Sequence, residues 1–424
     1  MSLPRFIQGL RDRSGDEIFL SALIQRVIAF VTMMAVIKIL PSSEYGYAAY
    51  AMSSLAFLLP LKGLGSDTGL LRYGSLTGSQ REKKFMFRSS FRRGMIASAI
   101  LYTIVFIAAP WMAKNLEESE LYIRLFGLQF FSFYLFHMIL AYARLYHMNR
   151  LFARLGILHA SLLLVVVVPL CYFLGGIGYI LGLVLVPLVI GLWFIISFRI
   201  VSTDRSESDR KQGLPAGFLW YSVYTSLSNV MALLLFAIDV IIIGNILADE
   251  LLVARYKAAS LLPFSALVIP VSVFTTDFVK LSRLAVSQPS EIMSYYRSYL
   301  KSFLPITIVV VAGLWYVGPL ILGLLGEEYL AGTSILRVLS LGIFGAILFR
   351  VPLGNMLAAV GWSRANLAIA IVIILINIVC NTYAVRTYGV IGAAYVTAGL
   401  LWLSGFINLA VLQYWYRTRD AVES

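Results

Sequence analysis

The sequence predicts an all-α integral membrane protein: twelve transmembrane helices in two pseudo-twofold-related six-helix lobes forming a central cleft. Three observations carry this expectation. The 424 residues are 60% hydrophobic and only 13% charged, with a mean hydropathy of +0.86, outside the balance of soluble globular chains. Apolar stretches long enough to cross roughly 30 Å of hydrocarbon at about 1.5 Å per residue recur along the chain. Similar residues also return at an offset of about 210 positions, as in a transporter built from repeats.

The elements follow in order. Residues 1–17 are polar, with Arg5, Arg11, Asp12, Arg13, Asp16 and Glu17, and the first apolar run is too long for a signal-peptide core. The first span is therefore expected to remain as an anchor. Spans are expected near 17–40, 44–71, 93–114, 121–145, 153–174, 177–199, 217–246, 252–277, 302–325, 333–359, 365–386 and 390–416. Pro60, Pro169, Pro187, Pro263, Pro270, Pro305 and Pro352 fall within them, each removing a backbone donor and able to bend its helix. Residues 78–92 mix cations with Phe85, Met86 and Phe91. They read either as a solvated loop or as an amphipathic helix in the membrane interface, the second being favoured; 283–300 occupy the matching place in the second half.

Charge fixes the expected orientation. Sorting the connections into alternate sides puts 24 of the 34 Lys and Arg residues on one side, including Arg72, Arg81, Lys83, Lys84, Arg88, Arg92 and Arg93, then Arg144, Arg150 and Arg154. The opposite loops are short and carry Glu44, Glu117, Glu118, Glu120, Asp249, Glu250, Glu327 and Glu328. The positive-inside rule then places both termini in the cytoplasm. The net charge of +13 is assigned to this topology and to contact with membrane lipids rather than to nucleic acid.

The repeat divides the chain. Tyr47 and Ala49 align with Tyr256 and Ala258, Asp67 with Asp277, and Pro110 with Pro319; Arg150 with Arg364 and Gly178 with Gly392 follow at a slightly larger offset. Expected domains are an N-terminal six-helix lobe, 1–205, a cytoplasmic linker, 206–215, and a C-terminal six-helix lobe, 216–424. An even number of spans per half makes the halves parallel, with a cleft between them as the default substrate site.

Cations inside the spans suggest an anionic cargo, because each disfavours insertion by roughly 2.5–3.5 kcal/mol unless it faces water or a partner. Arg26, Lys62 and Arg350 are the deepest. Each is about nine residues from the cytoplasmic end of its span, so all three are expected at roughly 13 Å depth, in one layer. Together they could present donors to a diphosphate. Lys38, Arg255, Lys257 and Arg337 lie nearer the outer face, where they either snorkel to the interface or form a second cationic layer. Arg255 and Lys257 join the substrate-binding candidates. Asp239, Asp67 and Asp277 are candidates for coupling or for ion pairs. Tyr221, Tyr224 and Tyr383 are candidate sugar contacts.

Several chemistries are not indicated. His137, His147 and His159 lack helical metal-pair spacing and are expected to have no nearby acid cluster, so no metal site is expected. Cys171 and Cys380 lie in apolar runs and read as small buried hydrophobes. No phosphate-binding G-x-x-x-x-G-K-[ST] run occurs. No cofactor is expected, and a proton or sodium gradient, or mass action, would drive transport.

Four stretches carry a family resemblance: Lys38-Ile39-Leu40 through Glu44-Tyr45-Gly46-Tyr47, Gly65 through Arg72, Asp239 through Gly244, and Tyr388-Gly389-Val390-Ile391-Gly392-Ala393-Ala394. In this order, over twelve spans in two halves, the chain resembles the multidrug/oligosaccharidyl-lipid/polysaccharide exporter superfamily, and within it the Wzx-type flippases of O-antigen and related polysaccharides. The resemblance implies a non-enzymatic, multi-pass protein of the bacterial inner membrane. It would carry undecaprenyl-diphosphate-linked oligosaccharide from the cytoplasmic to the periplasmic leaflet by alternating access, with a polysaccharide polymerase and chain-length regulator as further partners. Arg26, Lys62 and Arg350 match the cationic lumen of that family. The related lipid II flippases commonly have fourteen spans, two more than are expected here. A drug or organic-cation antiporter of the same superfamily is the main alternative, and should have an acidic cleft. A membrane glycan polymerase or ligase would need a large outer loop.

Overall fold

The computed structural model describes residues 15–77, 79–146, 148–197 and 214–423, and is all helical there. The chain forms two compact units, Met1–Leu233 and Leu234–Ser424. The division falls between the pieces Phe218–Met231 and Phe236–Leu247 of one apolar helix. The first turns of the seventh span thus belong to the first unit. Residues 206–213 of the expected linker lie outside the described residues.

In the first unit α1 (Gly15–Ile39) and α2 (Ser42–Ala56) are followed by a tight turn, Leu59–Gly65, and then by α3 (Ser66–Leu76). α4 (Gln80–Met112), α5 (Ser119–Gly127), α6 (Gln129–Leu145) and α7 (Asn149–Ser197) complete the spans, and α8 (Phe218–Leu247) begins here. The segment 78–92 is neither a loop nor a separate interfacial helix. From Gln80 onward it is the start of α4, capped by Ser79 accepting from the Glu82 N–H, with Met86 and Phe87 buried against Leu70, Tyr134 and Met138. A second cluster joins α6 and α7 through Phe136, Ile139, Leu155, Val186, Ile190 and Phe194.

The second unit continues through α9 (Glu250–Ser265), α10 (Val268–Ser287), α11 (Ser290–Tyr316), α12 (Gly318–Leu325) and α13 (Glu327–Leu330). Then come α14 (Thr333–Gly345), a π-helical turn at Ala346–Arg350, α15 (Val351–Ala359), α16 (Ser363–Tyr388) and α17 (Val390–Glu423). Its core joins Phe274, Leu281, Ile292 and Tyr296 to Leu353, Met356, Leu412 and Trp415. Residues 290–316 mirror α4 in being one helix rather than an interfacial segment and a span.

Ten described helices are long and apolar enough to cross a membrane, eleven with the bent α8 pair. Counting α7 as two crossings on either side of Gly175 gives twelve. Many apolar side chains face outward, among them Trp111, Tyr172, Phe173 and Ile196, each more than 70% exposed, as a lipid-covered surface requires. Cys171 is buried, but Cys380 is on the exposed face of α16, contrary to the expectation that both are buried.

The duplication is visible in the backbone. Gly175 (φ 59°, ψ −143°) turns α7 back on itself, and Gly389 (φ 66°, ψ −153°) makes the same turn between α16 and α17. Three residues on, a Cβ at Gly178 would stand 2.0 Å from the Leu170 carbonyl oxygen, and one at Gly392 would stand 2.2 Å from that of Ala384. Only glycine fits either close approach.

Candidate functional sites

The second span departs most from the expectation of a continuous helix at 44–71. Pro60 supplies no N–H, and Gly63, Leu64 and Gly65 in succession take φ values of 59°, 48° and 66°. A left-handed leucine costs about 1–2 kcal/mol, and such strain persists where surrounding packing imposes it. Here the packing is specific. A Cβ on Gly63 would lie 2.1 Å from the ring of Tyr134, and one on Gly65 would lie 2.3 Å from Ser226 Oγ. The Gly63 N–H donates to Ser98 Oγ at 3.1 Å. Tyr134 donates to the Ser90 carbonyl at 2.7 Å and pairs with Ser66 Oγ at 2.8 Å. Because a phenol has one proton, Ser66 is the donor in that second bond.

This turn holds Lys62 in an extended conformation (φ −51°, ψ 130°) rather than in a helix. Counting helical rise from the end of the span therefore does not give its depth. Its side chain is only 8% exposed, with Nζ 3.9 Å from Asp67 Oδ2, beyond hydrogen-bond reach. Asp67, at the start of α3, is shared: His137 Nδ1 on α6 stands 3.5 Å from the same oxygen. His137 thus has an acid partner that linear spacing could not reveal, since the two are brought together by the packing of α3 on α6. His137 stacks near Phe133 (5.3 Å), and beyond it His159 lies on Phe136 (4.5 Å) with Nε2 buried and lacking a hydrogen-bond partner. His147 lies outside the described residues.

A second polar centre is buried in the other unit. Asp239 is 0% exposed. Its Oδ2 accepts from the Tyr256 hydroxyl at 2.5 Å and from Thr397 Oγ1 at 2.7 Å, and its Oδ1 accepts from Asn381 Nδ2 at 2.7 Å. The same Asn381 nitrogen reaches Asn377 Oδ1 at 2.9 Å, and Asn381 Oδ1 is buried without a donor. Lys257, next to Tyr256, is within electrostatic reach. The expected alternatives for Asp239 were a buried cation or a coupling ion; its hydrogen-bond partners are neutral hydroxyls and an amide.

Arg350 ends the π-helical turn, its guanidinium 5.5 Å from the Phe236 ring. The turn has a local cause. Val351 N–H bonds to Ala346 instead of Ile347, and Pro352 cannot donate to Leu348. The two freed carbonyls are satisfied from α11, Ile347 by Tyr299 at 2.8 Å and Leu348 by Tyr296 at 3.2 Å. π-turns of this kind recur at functional positions.

The remaining candidates are dispersed. Arg26 and Lys38 are on the exposed face of α1. Arg255 Nε donates to the Glu328 carbonyl at 3.0 Å, and Arg337 lies over Trp315 at 5.3 Å. Asp277 accepts from Tyr295 at 2.5 Å. Tyr221 lies under the Arg72 guanidinium at 4.4 Å, so its ring is already engaged; Tyr224 and Tyr383 are 65% and 69% exposed. Among the described residues no group of three His, Cys, Asp or Glu side chains could hold a metal ion.

Helices apolar enough to span a bilayer, enclosing buried polar centres, define a multi-pass membrane protein. The fold matches several solved structures over nearly the whole chain. One is a multidrug resistance MATE family transporter of the MOP superfamily in an inward-facing conformation (TM-score 0.69, 14% identity, 94% of this chain and 96% of that one). Another is the lipid II flippase MurJ, inward closed (TM-score 0.71, 16% identity, 93% and 87%). A third is a MOP superfamily transporter from Pyrococcus furiosus described as having a binding pocket of reverse polarity (TM-score 0.65, 14% identity, 96% of each). The family model for polysaccharide biosynthesis proteins matches residues 35–335, and the chain belongs to that family. No curated protein matches it.

Proposed function

We propose that this protein is a flippase for undecaprenyl-diphosphate-linked oligosaccharide, moving the repeat unit from the cytoplasmic to the periplasmic leaflet of the inner membrane by ion-coupled alternating access. The observation that carries the reading is Lys62. An ammonium with three donors is buried at a left-handed turn, and its nearest carboxylate is 3.9 Å away. A phosphate oxygen would complete that shell, and a buried cation so placed is rarely tolerated without a function. Family membership supports a polysaccharide precursor as cargo.

Coupling is assigned to two places. Asp239 offers a buried carboxylate beside the unsatisfied Asn381 oxygen, two oxygen acceptors that a proton or a sodium ion could share. Asp67 competes for Lys62. A proton on Asp67 would free the ammonium for the anion, so anion binding and proton uptake at this cluster reinforce each other. Among the described residues, Tyr134, His137 and His159 are further titratable groups in electrostatic contact with the cluster.

The test is translocation of a fluorescent undecaprenyl-diphosphate glycolipid in proteoliposomes, with and without a proton or sodium gradient. Wild type should move it and Lys62→Ala should not, at equal reconstitution. Equal rates in the two proteins would remove Lys62 from the cargo site.

A further inference from the structure

A cavity of about 280 Å³ lies between α1 and the beginning of α7, apart from the polar centres above. Leu20, Ile24, Ala153 and Ile157 form its apolar walls, and Arg150 and Arg154 stand at its edge. The Ser21 hydroxyl donates to the Ala153 carbonyl at 3.3 Å, joining the two helices at this level. Leu20 is 57% exposed, so one apolar wall is open to whatever surrounds the protein.

Charge and apolar surface are graded along this groove. Arg150 and Arg154 are one helical turn apart, both exposed, and occupy the first turns of α7, where the helix dipole also favours an anion. The apolar residues Ile157 on α7 and Ile24 on α1 continue from the cations into the spans. Such a gradient fits a molecule with an anionic head and a hydrocarbon tail, the arrangement basic residues at span ends present to acidic lipids. The enclosed part has room for a phosphate with a few methylenes, and the open wall lets a longer chain run along the span.

We propose that this groove is a binding site for an anionic bilayer phospholipid, its phosphodiester held by Arg150 and Arg154 and the start of one acyl chain lying against Leu20, Ile24 and Ile157. The occupant is assigned to the bilayer rather than to the polyprenyl cargo because none of the lining residues is Lys62, Asp67 or His137, and the exposed Leu20 wall opens the groove to its surroundings.

Native mass spectrometry of the full-length, detergent-purified protein tests this, with titrations of phosphatidylglycerol, phosphatidylcholine, undecaprenyl phosphate and inorganic phosphate in separate arms. Wild type should retain phosphatidylglycerol at least about fivefold over phosphatidylcholine. Arg150→Gln with Arg154→Gln should lower that preference to about that of a general surface. Ile157→Trp, which fills the groove and leaves both cations in place, should also lower it, and Arg150→Lys with Arg154→Lys should keep most of it. Thermal melts in the same detergent establish that each variant is folded. Unchanged phosphatidylglycerol retention in both the Gln double variant and the Trp variant would overturn the proposal. So would loss of the bound lipid to inorganic phosphate alone, or stronger retention of undecaprenyl phosphate than of phosphatidylglycerol. Because none of these outcomes involves Lys62 or translocation, the site stands or falls separately from the cargo assignment.

Discussion

The second and eighth spans occupy matching places in the two halves, yet they break in opposite ways. In the second, Gly63, Leu64 and Gly65 all take positive φ and deliver a buried Lys62 toward Asp67. In the eighth, the junction between α9 and α10 passes through Ala266 and Leu267 with ordinary right-handed values, φ −66° and −63°. The equivalent positions there carry Ser272 and Val273 in place of Lys62 and Gly63. The paired aspartates diverge as well: Asp67 faces an ammonium and an imidazole, and Asp277 accepts from the Tyr295 hydroxyl. What the halves do share is the glycine turn of the hairpins at Gly175 and Gly389. The break in the first half carries a buried lysine where the second has Ser272, and the buried carboxylate of the other unit is Asp239, whose counterpart in the first half is an apolar alanine, Ala29.

The largest effect expected from probing this contrast is on cargo movement. Lys62→Ala should reduce glycolipid translocation by two orders of magnitude or more, on the order of 3 kcal/mol of lost interaction, while Ser272→Ala should leave it within about twofold. Similar losses from both would mean that the halves share the load, and the comparison would fail.

Next in size is the turn itself. Gly63→Ala forces a Cβ against the Tyr134 ring at a residue with φ of 59°, and should destabilise the protein by about 2–4 kcal/mol through overpacking and backbone strain. Val273→Ala should cost about 1 kcal/mol. Unfolding in a fixed detergent checks the ordering; a Gly63→Ala variant as stable as wild type would show that the left-handed turn is not imposed by Tyr134.

Coupling sharpens the comparison further. Asp239→Asn should abolish the response to an imposed gradient while leaving downhill movement within about tenfold, and Asp67→Asn should instead weaken the pH dependence of anion binding, measured by calorimetry with a soluble diphosphate. Gradient dependence that survives Asp239→Asn but not Asp67→Asn would reverse the assignment. The smallest effect concerns Arg350: Tyr299→Phe leaves the Ile347 carbonyl without its donor and should cost about 1 kcal/mol, with a modest loss of transport if the π-turn sets the arginine's position.

Much of this was legible in the linear chain. Length, hydropathy and periodic apolar runs gave the all-helical membrane class and the twelve crossings, and the recurrence of Gly178 as Gly392 marked a hairpin that the backbone repeats. Lys62 could be picked out because a lysine within an apolar run is conspicuous by composition alone. Its surroundings could not. Nothing in the spacing of His137 announces Asp67, since the two are seventy positions apart and meet only because α3 packs on α6. Nor could helical counting expose the break at Leu59–Gly65, because glycines are ordinary within membrane helices and become a turn only where a neighbour such as Tyr134 fills the space that a Cβ would need.

By itself, the sequence determined the class of protein, its spans and its internal repeat, because burying backbone polar groups away from water leaves a chain of this hydropathy few options but helices. Tertiary packing alone decided which charges became partners: Asp67 with Lys62 and His137, and Asp239 with Tyr256, Asn381 and Thr397. Those pairings join residues far apart in the chain, and the cost of leaving a buried polar group unpaired is met through space rather than along the sequence.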